Sequence, residues 1–395
     1  MHSGTTRLVI SAFGLSAALL LSTAASGQTS DAFKEKIRNA EAYIAGTLDY
    51  PMPKVTYTGE PIEIRFSSFI SEAAKAIWDP NKGAFARLEA ESQGKLKIKL
   101  YAGGVLHKAN QGITAVRDSI SDMSHCYVGY QPKSFKVLHM MGLSGIFPDS
   151  PVAAVAQNEL YPKYFKKEYE AVGVYQARSN STPQYNIITR EPVRKLEDMN
   201  GLKVRSTGGI QRDLIQAVGG ISVFVPITEA YTAFQRGTVD SVVGHDAAFV
   251  TFRTAEVAKF HTNLGFAGAD LNYCLNKEKF DSLPADLKKI FYDWLQRANQ
   301  VDSQLWYEKA AFAAREKMQG MGIEFIDIDP AERQRILDAM APVTTKLVAD
   351  LEAEGFPAKQ ILADMKAASA KYSAMSWNDI FMLVVNHPLP GMIDF

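Results

Sequence analysis

Apolar and polar residues alternate with two different periods along the chain, and the switches between them mark the elements. From residue 62 the stretch IEIRFSSF (62–69) has the period of a strand. AKAIWDPNKGAFARLEAESQG (74–94) follows with helical spacing, broken at Asp79-Pro80. KLKIKLYAG (95–103) puts Leu96, Ile98 and Leu100 on one strand face, NQGITAVRDSIS (110–121) reads as a helix and DMSHCYVGY (122–130) as a third strand. Strand and helix in turn at these lengths predict right-handed crossovers and a sheet rich in parallel pairs. Upstream, SDAFKEKIRNAEAYIAGTLDY (30–50) has the period of a short helix, and PMPKVTYTGEP (51–61) has the composition of a linker.

A second block of the same kind starts near Thr182. QYNIITR (184–190) is a strand, EPVRKLEDMNGL (191–202) a linker with a short helix, and GLKVRSTGGIQRDLIQAVGG (201–220) a strand, glycine turn and helix. ISVFVPI (221–227) and TVDSVVGH (238–245) are further strands, and Thr228 suits the N-cap of the helix TEAYTAFQRG (228–237). AAFVTFRTAEVAKF (247–260) is helical, and GADLNYCLNKEKF (268–280) returns to an extended pattern. From Pro284 to about Gly320 one helical period persists, longer than a globular helix usually runs, which predicts an element bridging two lobes. The tail, 330–370, is again mostly helical. The expected fold is α/β with two lobes, the second inserted into the first, and a cleft beyond the carboxyl ends of the strands. The boundaries expected are 28–61 for an N-terminal extension and linker, 62–181 for lobe I and 182–270 for lobe II. Residues 271–310 return to lobe I and form the bridging helix, and 311–395 form C-terminal helices packing on lobe II.

Composition narrows the class. In 395 residues, 43 basic side chains balance 43 acidic ones, so no basic surface selects nucleic acid or an anionic membrane. Arg7, the apolar run LVISAFGLSAALLL (8–21) and the small residues STAASG (22–27) read as a secretory signal peptide cleaved after Ala25 or Gly27. No later stretch has the length and apolarity of a membrane span, so an exported protein of the bacterial periplasm is expected. The two cysteines, Cys126 and Cys274, each lie in an apolar run and read as buried thiols rather than a disulfide.

Arg205 is the residue the pattern does not explain: a guanidinium at the tip of an apolar strand, beside a glycine turn that opens a helix. One role is a carboxylate clamp, since a planar fork of donors matches two oxygens and the helix N-terminus adds a favourable field. The other is a structural ion pair with Glu229, Asp213 or Glu197. Local sequence supports both equally.

Twenty-four residues after Arg205, EAYTAFQRGTVD (229–240) completes a longer set: GLKVR, a helix ending in AVGG, ISVFVPI, then this segment. The set resembles the solute-binding proteins of TRAP (tripartite ATP-independent periplasmic) transporters, the DctP family, and the likeness extends from about residue 62 to 320. The resemblance implies the two-lobe periplasmic binding protein fold with a bridging helix over 284–320. It also implies a receptor that captures a small organic acid by hinge closure and delivers it to the membrane permease subunits of a transporter. In that family the arginine of the GLKxR segment pairs with the ligand carboxylate, which favours the clamp for Arg205.

The departures matter as well. Gln184-Tyr185 stands where relatives often carry another arginine, Gly244-His245 where an asparagine reaches the ligand, and Ile227 where an aromatic side chain packs on it. A second carboxylate therefore lacks an obvious partner, and a smaller or partly apolar acid is expected. Ser67, Ser68, Phe69 and Glu72 follow the first strand where a first-lobe contact belongs, and Tyr127 ends the third. His245 is expected as a pH-sensitive ligand contact, His125 as structural, and Trp306 as the tryptophan able to approach the cleft. No metal site or cofactor is expected: zinc motifs, a GxSxG elbow, a phosphate loop and a dinucleotide fingerprint are all missing from the sequence. The alternatives to a TRAP receptor are the binding protein of an ABC permease or an enzyme acting on a small carboxylic acid.

Overall fold

Two β-sheets organise the computed structural model, which describes residues 31–266 and 268–395; the chain passes between the lobes three times before residue 321 and a fourth time after Ala353. The predicted export segment, 1–27, lies outside the described residues. The first sheet has the order β2-β1-β3-β10-β4, with β1 Ile62–Ser67, β2 Leu96–Tyr101, β3 Met123–His125, β4 Tyr175–Arg178 and β10 Tyr273–Leu275. The second has the order β11-β9-β5-β8-β6-β7. Its strands are β5 Tyr185–Thr189, β6 Lys203–Ser206, β7 Ile221–Phe224, β8 Ser241–Gly244, β9 Phe260–Phe266 and β11 Glu324–Ile326.

The sheets are mixed. β1, β2 and β3 are parallel, as are β6, β7 and β8, but β10 runs antiparallel to β3 and β4, and β5 antiparallel to β8 and β9. The antiparallel strands are those the chain enters from the other lobe. Each such entry reverses direction relative to the local crossovers, a constraint that hydrophobic period does not report. Three strands, β4, β9 and β11, are not among those expected; β4 and β11 are short, whereas β9 does carry apolar residues at alternate positions, Phe260, Leu264 and Phe266.

The first two crossings run side by side. Ser181 and Asp270 form an isolated antiparallel bridge, the Thr182 N–H donates to the Ala269 carbonyl at 3.0 Å, and the Leu271 N–H donates to the Asn180 carbonyl at 2.7 Å. A side chain at position 268 would put its Cβ 2.6 Å from the Thr182 carbonyl, so only glycine lets the two segments approach this closely. The third crossing is helical. Ala285–Val301 starts at Pro284, continues through a π-helical segment, Asp302–Lys309, and ends as Ala310–Gly320. At the start of the π segment the Asp302 carboxylate, fully buried, accepts from Arg178 Nη1 (2.9 Å), Asn180 Nδ2 (3.0 Å) and Asn81 Nδ2 (2.8 Å). The Arg178 guanidinium sits between the rings of Tyr273 and Trp294.

Two expectations are corrected beyond the core. Of the helices after residue 310, Ala310–Gly320 packs on the second lobe against Asp246–Thr251, and Pro330–Ala353 against Ile210–Ala217, as expected. Ala358–Ser373 and Trp377–Asn386 lie on the first lobe, against the helix Ser150–Tyr164. Aspartate caps start two of these helices: Asp149 accepts from the Val152 N–H and Asp329 from the Ala331 N–H. Cys126 and Cys274 are joined as a disulfide, with Cα atoms 5.6 Å apart, contrary to the reading as free thiols. Cys274 is the middle residue of β10 and Cys126 directly follows β3, so the bridge joins residues 148 apart in sequence across the β3–β10 pairing. The extension near residue 40 is structural: its helix, Arg38–Ala45, sends the Tyr43 hydroxyl to the buried Glu91 carboxylate at 2.7 Å. Among the described residues no helix is long and apolar enough to cross a membrane.

Candidate functional site

Arg205 lies at the carboxyl end of β6, between Val223 of β7 and Val242 of β8, and points into a cavity between the lobes. It is 3% exposed. Its Nε donates to the Val225 carbonyl at 2.8 Å, which fixes the plane of the guanidinium. Its Nη2 is buried with no partner among the described residues. Glu197 is taken by Arg335 and Asp213 by Arg212, so neither neutralises it. Burial holds its pKa below the usual arginine value, with no carboxylate to oppose the shift.

The lobes are closed over this group. Tyr130, from the first lobe, accepts from the Ile227 N–H of the second at 3.2 Å, and its ring meets Phe224 edge-on. The closed lobes leave only a narrow cavity, about 30 Å³ open to water-sized spheres. The first lobe contributes Ile77, Tyr127 and Tyr130; the second contributes Tyr185, Thr207, Ile227, the end of β8 and the helix Asp246–Thr251; the crossings contribute Leu271 and Trp306.

Six of the nine sequence-predicted residues meet here: Arg205, Tyr185, His245, Gly244, Ile227 and Tyr127. Gln184 does not. Neighbouring strand residues point to opposite faces, so with Tyr185 in the cavity Gln184 faces a separate depression beside Asn186 and Arg315. Glu72 is also elsewhere, in an exposed turn and paired with Lys82 at 2.5 Å. Phe69 is buried behind the wall, its ring edge-on to Tyr127 at 5.3 Å, and so supports the site without lining it. Ser67 and Ser68 have internal tasks, bonding His107 and the Ile70 N–H respectively.

Three further expectations change. His245 lines the cavity, but burial pushes its pKa down to about 4, so it stays neutral near physiological pH and is not the pH-sensitive contact expected. The helix Ile210–Ala217 opens toward Gly129, His139 and Gly142 of the other lobe, so its N-terminus does not face the cavity that Arg205 occupies. Thr228 sits inside a 3-10 turn, Ile227–Glu229, because Pro226, with φ −53°, begins the turn earlier.

Pattern reading misses Tyr130, Ile77, Phe249 and Phe252. Phe249 and Phe252 recur at i and i+3 on the helix after β8, the spacing of one helical face. That signal is present in AAFVTF, but a core face has the same spacing. His125, expected as structural, is buried among aromatic rings including Tyr273 and Trp306. Among the described residues no group of three His, Cys, Asp or Glu side chains is placed to hold a metal.

The paired crossings carry a titratable group. Asp270 accepts from Ser181 Oγ at 3.0 Å, and burial pushes its pKa up to about 7. A raised folded-state value means the native protein holds this proton where the unfolded chain, titrating near 3.8, has lost it. Its contribution to stability is therefore complete below pH 3.8 and disappears as pH rises through 7. Melting curves of Asp270→Asn between pH 5 and 8 are expected to slope less than those of the natural protein. Parallel slopes would remove Asp270 as the source.

Comparison with known proteins places this geometry. A family model described as bacterial extracellular solute-binding protein, family 7, matches residues 83–350. A solute-binding protein of Albidiferax ferrireducens is 27% identical over 221 residues, 52% of this chain and 62% of the relative. The C4-dicarboxylate-binding periplasmic protein DctP of Rhodobacter capsulatus is 23% identical over 320 residues, covering 79% of this chain and 92% of its own. Among solved structures, a TRAP solute-binding protein of Rhodoferax ferrireducens in complex with copurified benzoate superposes with a TM-score of 0.75 at 20% identity. That match covers 79% of this chain and 99% of the other.

Proposed function

The chain belongs to the bacterial extracellular solute-binding proteins of family 7, and from that premise we propose that it is the periplasmic receptor of a TRAP transporter for a small organic acid. The observation that carries the reading is the buried guanidinium of Arg205 with an unpartnered Nη2. An uncompensated buried charge costs several kcal/mol, and a ligand carboxylate would restore its partner. Two charge-assisted bonds would contribute about 1.5–3 kcal/mol each, a large share of the roughly −8 kcal/mol of a micromolar complex.

Capture would proceed by closure. The crossings at 179–184 and 268–272 and the bridging helix are the segments that bend, and Tyr130 latches the first lobe onto the backbone of the second. Closing excludes water from the Arg205–carboxylate pair and strengthens it. The loaded, closed form would then be the one that membrane permease subunits recognise. Export of the mature chain to the periplasm accords with the signal sequence and with the periplasmic protein DctP among the relatives. The relatives named above are binding proteins, which supports a receptor over an enzyme.

A thermal-shift screen tests the reading. A carboxylic acid at about 100 times its dissociation constant stabilises the folded state by about 2.7 kcal/mol, so acids should dominate the hits. A screen in which only amines or neutral sugars raise the melting temperature would overturn it.

A further inference from the structure

Arg205 is the one charged side chain among the described residues lining the cavity. The wall contributed by β8 and the helix after it is largely apolar, through Val242, Val243, Ala248 and Phe249, with the neutral His245 and Thr251 as its polar members. A Cβ at position 244 would lie 3.2 Å from Phe249 Cε1, so the Phe249 ring rests on the bare backbone of Gly244. Phe252 adds a second ring three residues further along. This wall does not adapt easily, because Asp246 pins its helix from three directions. The Asp246 carboxylate accepts from Asn186 of β5, bonds His261 of β9 at 2.8 Å, and accepts from Arg315 of the bridging helix.

From the proposed receptor function and this wall we infer that the cavity selects a monocarboxylate with a compact apolar body, an aromatic ring or a branched alkyl group, and that Gly244 and Phe249 set that preference. A second carboxylate would be buried against Ile77, Ile227 or Phe249 with no cation to meet it, and a charge left unpaired in such a site is strongly disfavoured. A polyhydroxylated acid fares little better. The tyrosine and threonine hydroxyls satisfy some of its groups, but those facing Val242, Phe249 and Leu271 would lose their water without replacement. An aromatic or branched body instead gains contact with the rings of Phe249 and Trp306.

Calorimetric titration of the full mature chain, freed of copurified ligand by unfolding and refolding, tests this with benzoate, phenylacetate, 4-methylpentanoate, succinate, D-glucuronate and neutral benzyl alcohol. At least one apolar monocarboxylate is expected to bind about 100-fold or more tighter than succinate and D-glucuronate. Phe249→Ser is expected to narrow that ratio at least tenfold, and Gly244→Ala, which pushes the ring into the cavity, to weaken monocarboxylate binding several-fold. Should Phe249→Ser fold poorly, Phe249→Leu keeps an apolar wall and should preserve the ratio, and the natural protein's panel decides the ligand class alone. Succinate or D-glucuronate binding as tightly as the apolar acids would overturn the inference and leave the organic-acid receptor standing. An unchanged ratio in Phe249→Ser would remove Phe249 as its determinant. If no acid binds, or benzyl alcohol matches benzoate, the receptor reading itself fails and the inference with it.

Discussion

Arg205→Met is expected to weaken binding of a carboxylate ligand at least 30-fold or so and to raise the melting temperature of the ligand-free protein. The two effects share a cause. In the complex, removing one partner of a buried, hydrogen-bonded charge pair costs about 2–5 kcal/mol, and each 1.4 kcal/mol is roughly tenfold in affinity. In the free protein the same guanidinium is buried with an unpartnered Nη2 and lacks an acidic neighbour among the described residues, so an apolar side chain of similar length removes a penalty. Arg205→Lys keeps the charge but loses the planar fork and the Nε bond to Val225, and should recover only part of the affinity. Calorimetry and a melting curve on each variant read both effects. An unchanged dissociation constant in Arg205→Met would sink the clamp.

Asp302→Ala is expected to destabilise the protein by about 3–5 kcal/mol, the usual result of leaving one charge of a buried pair behind. The loss reaches further than one ion pair. Asp302 also accepts from Asn81 and Asn180, so three donors from the first-lobe helix, the end of β4 and the first crossing lose their acceptor together. Arg178→Met combined with Asp302→Leu should recover most of the loss, because the replacement is apolar on both sides. The midpoint of urea unfolding is the measurement. A shift in the single variant no larger than that of an ordinary surface substitution would show that the network does not hold the crossings in place. Because the crossings meet at this network, the single variant should also bind ligand less tightly even where it remains folded.

Much of the fold is legible in the chain itself. The strands at 62, 96, 185, 203, 221 and 241 each announce themselves by short apolar runs between turn residues, and the long helical period after Pro284 marks the bridge. The candidate site is only half legible. Tyr185, Gly244 and Ile227 follow from their place in a recognised motif, whereas Gln184 and Glu72, expected beside them, face other surroundings. The difference at Gln184 is one residue of strand register. Tyr127 and Tyr130 sit in a single stretch, YVGY, yet only the closed lobes show that the second tyrosine latches onto Ile227.

The sequence by itself determined the succession of elements, the two-lobe class and the position of Arg205 at a strand's carboxyl end, because each is set by neighbours within a few residues. Tertiary structure alone decided which partners meet: the disulfide between Cys126 and Cys274, the antiparallel entry strands β5 and β10, and the docking of the last two helices on the first lobe. It also decided that Arg205 pairs with neither Glu197 nor Asp213 and that Phe249 rests on Gly244. Periodicity states which face of an element avoids water. It carries no information on which distant face will cover it, and the chemistry of this cavity is made of such pairings.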